Sequence, residues 1–129
     1  MSEEMVRDAF PEIEAIGDDE LRAGVVSAWR TAIDENDIDD LTKVPWLPPT
    51  QRELGVRDER LVSHVRDVTA CALTLAETLC ERREVGLSLD TVIAGALVHD
   101  VSKLAEFDGM TETPVYDLLG HPYYGVYTI

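Results

Sequence analysis

Apolar positions recur at helical spacing through most of this chain. Between about Asp58 and Glu84, Leu61, Val65, Val68, Ala72, Leu75 and Leu79 alternate steps of four and three, which draws one apolar stripe down a long amphipathic helix. Gly86 stops it. A second helix starts at Ser88, a residue that can cap, and runs through Val92, Ile93, Ala94, Ala96, Leu97 and Val98 to the neighbourhood of Lys103. It is apolar almost all round, as expected of a helix at the centre of a bundle. Upstream, Asp18 or Asp19 caps a helix carrying Leu21, Val25, Ala28, Trp29, Ala32 and Ile33, closed by the acidic run from Asp34 to Asp40. Phe10-Pro11-Glu12-Ile13 reads as a short lead-in helix with proline in its first turn.

Other stretches break the period. Val44-Pro45-Trp46-Leu47-Pro48-Pro49 reads as non-helical, because proline lacks the amide donor and fixes φ. Residues 37 to 57 are therefore expected to form an ordered loop pinned by Trp46. Gly109 and Pro114 mark a loop over residues 106 to 114, and the last segment, Val115 to Ile129, holds aromatic and β-branched residues of strand-like propensity. The expected fold class is an all-α helical bundle. Residues 1 to 57 form a helical and proline-rich lead-in packed on the same domain as a helical core over residues 58 to 129.

At 129 residues the chain is about one domain in length. Its 26 acidic residues against 11 basic ones leave a net charge of -15, which argues against a nucleic-acid backbone or an anionic membrane as partner. Nine of the basic residues are Arg, and Lys43 and Lys103 are the two lysines. Few lysines among many carboxylates suggest adaptation to high salt, where a screening length of about 3 Å at 1 M makes a self-repelling surface tolerable; the plainer reading is an ordinary acidic cytosolic protein. The acidic N-terminus does not resemble a signal peptide, and no apolar run reaches the length of a membrane span, so a cytoplasmic location is expected. Cys71 and Cys80 lie nine residues apart on one helix, about 13.5 Å of rise, too far for a disulfide.

Chemistry gathers around the three histidines, His64, His99 and His121. His99 and Asp100 directly follow the apolar run Val92 to Val98, and an ionised carboxylate in such surroundings needs a partner or a metal. His64 lies at the edge of the preceding helix's apolar face. A simple antiparallel hairpin turning near residue 87 leaves His64 and His99 eleven residues out of level, about 16 Å of helix rise, which counts against their meeting unless the connection is longer or the helices cross steeply. The competing arrangement pairs Asp100 with Lys103 one turn away.

His64, a gap of 34 residues, then Val98-His99-Asp100-Val101-Ser102-Lys103 resembles the HD superfamily of metal-dependent phosphohydrolases. Leu61-Val62-Ser63-His64-Val65-Arg66-Asp67-Val68 is similar to that family's first-histidine helix, Ala94-Gly95-Ala96-Leu97-Val98-His99-Asp100 to its signature helix, and Gly120-His121-Pro122 to its third histidine segment. The resemblance spans residues 58 to 125 and implies an all-α bundle in which His64, His99 and Asp100 ligate a metal. It implies that His121 holds a second metal or touches a phosphate. Such donors suit a divalent transition metal, Mn, Fe, Co, Ni or Zn. A metal of this kind lowers the pKa of a water it binds, and that water would attack a phosphate ester or anhydride, with a nucleotide as the expected small phosphorylated substrate. Asp100 and Lys103 are the expected catalytic residues, Lys103 neutralising charge on the phosphoryl oxygens.

One element of the family pattern is missing. The family completes its metal shell with a distal aspartate tens of residues after the His-Asp pair, whereas Asp108 and Asp117 both precede His121. The chain is thus expected to be a bundle incomplete at its C-terminus, with an uncovered apolar face that favours homo-oligomers. Two alternatives to the enzyme stand beside it: a noncatalytic helical module for metal binding or protein interaction, and an acidic helical protein whose histidines are accidental. The last predicts His64 and His99 more than about 8 Å apart at their ring nitrogens, beyond any shared ion.

Overall fold

The computed structural model describes residues 2 to 55, 59 to 108 and 111 to 114. The helical elements are α1 (Ser2–Ala9), α2 (Asp19–Glu35), α3 (Pro48–Leu54), α4 (Leu61–Arg83), α5 (Leu89–Val98) and the single turn α6 (Lys103–Glu106), with 3₁₀ turns at Pro11–Ala15 and Leu41–Lys43. A two-residue antiparallel ribbon, Phe107–Asp108 with Thr111–Glu112, closes the described part. The architecture is all-α. No helix among the described residues is long and apolar enough to cross a membrane. Cys71 and Cys80 are free thiols.

Local chemistry explains most of the boundaries. Asp18 caps α2 by accepting from the Leu21 amide, and Ser88 caps α5 by accepting from that of Thr91. Helix α4 ends at Arg83 through Glu84, whose positive φ of 54° makes it the left-handed cap, so the stop falls two residues before Gly86. Helix α3 corrects the expectation of a loop across the prolines. Pro48 opens that helix, in the first turn, where a missing amide donor costs nothing because no partner exists for it. Helix α1 corrects the lead-in: helix forms over Ser2–Ala9, while Pro11–Ala15 makes only a 3₁₀ turn.

The core lies where α5 is sandwiched between α4 on one side and α2 with the Pro11–Ala15 turn on the other. Trp29 of α2 is fully buried there; its ring lies 4.9 Å from that of Phe10, and its indole N–H donates to the Leu97 carbonyl at 2.8 Å. That bond satisfies the one polar atom of a large apolar side chain and anchors α2 to the last turn of α5. At the other end of α5, the Asp90 carboxylate accepts from the amides of Gly17 and Asp18 at 3.1 and 2.9 Å. A Cβ on residue 17 would stand 3.4 Å from that carboxylate, about ordinary contact distance.

Helix α5 is less central than its composition implies. Ile93, Ala94 and Leu97 are buried, while Val92 and Val98 are half-buried and Gly95 is exposed. Helix α4 departs further from expectation. Leu61, Val65, Thr69 and Ala76 are its buried residues, and Leu75, assigned to the apolar stripe, is 61% exposed. The reason is length. At 23 residues α4 is about 34 Å long, and the 10 residues of α5 cover about 15 Å of it.

Candidate metal centre

Three segments build the site. Helix α4 begins at Leu61, and His64 sits in its first turn. Helix α5 ends at Val98, and residues 99 to 102 form a tight turn before α6, with the Val101 amide bonded to Val98 O and the Lys103 amide to Asp100 O. His99 and Asp100 therefore lie just beyond the helix that was expected to carry them. The third segment, Val44-Pro45-Trp46, runs beside the entry to α4. The Leu61 amide donates to Val44 O at 2.9 Å and the Trp46 amide to Glu59 O at 3.2 Å, a short antiparallel bridge centred on Pro45 and Arg60.

These segments bring His64, His99 and Asp100 together. Both imidazole Nε2 atoms lie 3.0 Å from Asp100 Oδ2. One ligand atom from each residue falls within 4.8 Å of the other two, close enough to share one metal ion. The two histidines meet because the connection between α4 and α5 is longer than a compact turn. Residues 84 to 88 contain no helix, and beyond the left-handed cap at Glu84 the four residues 85 to 88 can span up to about 14 Å, most of the offset that helix rise left between the histidines. The arrangement with Asp100 paired to Lys103 is not the one observed around Oδ2, which faces the two rings. The reading of accidental histidines loses its predicted separation.

Hydrogen bonding defines the state of His99. Its Nδ1 lies 2.6 Å from the Ala96 carbonyl, an atom that can only accept, so Nδ1 carries a proton. Nε2 then presents either a second proton or a lone pair to the carboxylate. Asp100 raises the His99 pKa above its ordinary value through their hydrogen bond, burial pulling the other way. Burial pushes the Asp100 carboxyl up, but the His99 hydrogen bond and charge, with the charges of Lys103 and His64, outweigh it and hold the pKa below the usual value. A positive charge at this point is thus favoured. It can be a proton on His99 or a cation held among three donors.

The donor set fits a metal. Two neutral imidazole nitrogens and a carboxylate oxygen match borderline first-row ions, and a ring whose other nitrogen donates to a backbone carbonyl is oriented as metal-bound histidines are. The Asp100 side chain is 5% exposed, while those of His64 and His99 keep 25% and 36%, so the cluster is rooted in the core and meets solvent at its histidines.

Lys103 is buried at the start of α6, with Nζ 5.6 Å from the centre of the Phe107 ring. Its charge acts on both His99 and Asp100. Ser102 and Glu106 are buried in the same turn. Neither is marked in the sequence, where Ser102-Lys103-Leu104-Ala105-Glu106-Phe107 mixes polar and apolar residues without a period that signals burial. Trp46 stacks on His64 with ring centres 4.8 Å apart and planes at 23°, a contact that sequence reading also missed. His121 and Asp117 lie outside the described residues, and Asp108 is exposed on the ribbon.

No family model, curated protein or solved structure matches this chain. The structure itself supplies a His-His-Asp group close enough to hold a metal ion.

Proposed function

We propose that the protein is a metal-dependent phosphohydrolase of the HD type, acting on a small phosphate ester or anhydride such as a nucleotide. The observation that carries this reading is the convergence of His64 Nε2 and His99 Nε2 on Asp100 Oδ2, each at 3.0 Å, with His99 Nδ1 committed to the Ala96 carbonyl. His64, His99 and Asp100 would hold a divalent transition ion, and His121 is assigned by motif to a second metal or to phosphate. When bound, such an ion supplies Lewis-acid polarisation of a phosphoryl oxygen and acidifies water. Asp100 keeps its charge in a buried setting because two imidazoles face it. Lys103 adds a fixed positive charge beside the pair, the complement of an anionic substrate on a protein of net charge -15. Cytoplasmic location and a homo-oligomer formed over exposed apolar surface belong to the same proposal.

The test is metal content together with hydrolysis. Purified protein is expected to retain or take up a stoichiometric transition metal by elemental analysis, and to hydrolyse an aryl phosphate or a member of a nucleotide panel with added Mn. A His99→Ala/Asp100→Ala double variant is expected to lose both. Equal metal in that variant, or none in the wild type, would remove the site assignment. Stoichiometric metal without turnover on any phosphate substrate would favour the noncatalytic metal-binding module.

A further inference from the structure

His99 and His64 are held in different ways. His99 is oriented through its own ring nitrogen by a backbone carbonyl. His64 is covered by an indole: Trp46 lies nearly parallel to it at 4.8 Å, while the His99 ring on its other contact is tilted by 54° at 5.7 Å. Free rotation about the two side-chain bonds of His64 would swing Nε2 away from Asp100, and a flat aromatic face against the imidazole removes most of that freedom.

The indole is itself held in place. Trp46 belongs to the bridge with the α4 entry, through its amide to Glu59 O at 3.2 Å. Gln51 of α3, a buried polar residue, fastens the same loop twice: its Oε1 accepts from the Leu47 amide at 2.7 Å and its Nε2 donates to Glu59 O at 3.1 Å. Leu47 follows Trp46, and Glu59 lies five residues before His64. The amide of Gln51 therefore ties the residue after the indole to the segment that leads into the histidine's helix. Both ends of the buried Gln51 amide are thereby satisfied.

We infer that Trp46 is a positioning residue for the metal ligand His64, with Gln51 fixing the register of indole against imidazole. The inference rests on the proposed metal site and assigns it a device that no motif residue supplies. Trp46 touches neither the ion nor substrate in this assignment; it sets the direction in which His64 Nε2 presents its lone pair.

Cobalt(II) binding tests it, followed by calorimetry and by the visible absorption band, whose shape reports ligand geometry independently of turnover. The proteins are the wild type, Trp46→Phe, Trp46→Leu and Gln51→Ala, with His99→Ala as the ligand-loss control. Phe keeps a flat ring and is expected to bind cobalt within about threefold of wild type, whereas Leu, similar in bulk without a ring face, is expected to lose about 10- to 100-fold in affinity and to shift the band. Gln51→Ala is expected to fall between them. Helical circular dichroism shows that each variant is folded; should the Leu variant lose that signal, Trp46→Met is read in its place. Wild-type affinity and an unchanged band in the folded Leu or Met variant would overturn the inference while leaving the metal site standing. Absence of cobalt binding by the wild type would instead overturn the site itself and the inference with it.

Discussion

The two halves of α4 have much the same sequence character and opposite fates. Leu61, Val65 and Thr69 in the first half are buried, and the bridge to Pro45 and the indole of Trp46 fasten its entry. In the second half Ala76 is buried, while Leu75 is exposed and Leu79 only half-buried. The contrast shows that a stripe of apolar residues states what a helix can bury, whereas its neighbours decide what it does bury. The candidate site is placed in the half whose inner face is packed and whose entry is fastened, where ligand atoms can be held to a fixed geometry.

Several measurements would break or sharpen that contrast. Largest, Leu61→Ala is expected to lower stability to urea by about 2 to 5 kcal/mol, because a fully buried leucine leaves both its transfer energy and a cavity behind. A loss below 1 kcal/mol would mean that the first half is not braced as described. Next, a transition metal at about 100 times its Kd is expected to add about 2.7 kcal/mol and to slow amide exchange around residues 61 to 65 and 97 to 101. Uniform slowing along all of α4 would contradict the division into halves.

A smaller effect is expected from Ser88→Ala. It removes the side-chain cap of α5 and should cost about 1 kcal/mol, seen as a lower urea midpoint with an unchanged slope. Smallest of all, Leu75→Lys should change stability by less than about 0.5 kcal/mol, since its side chain is mostly in solvent. A marked destabilisation, or conversion of an oligomer to a monomer on size-exclusion chromatography, would show that a second copy covers the outer half.

Much of this was legible along the chain. The period of three and four located α2, α4 and α5, Asp18 and Ser88 marked two of their starts, and the His64, His99 and Asp100 set was visible as a motif. Other features were hidden for physical reasons. The prolines at 48 and 49 read as helix breakers because proline's effect depends on whether it opens a helix or interrupts one. The meeting of His64 and His99 was hidden because a non-helical connection, residues 85 to 88, can advance farther per residue than a helix does. Trp46 was visible as an anchor, but its place over His64 depends on a backbone bridge between segments about 15 residues apart.

By itself the sequence determined the all-α class, the three main helices and the donor types that could bind a metal, since these follow from local period and side-chain chemistry. Tertiary structure decided which half of α4 is buried, which way the two imidazoles face and what holds them there. Those are properties of lengths and registers between distant segments, and burial, carboxylate pairing and aromatic stacking exist only once the segments have met.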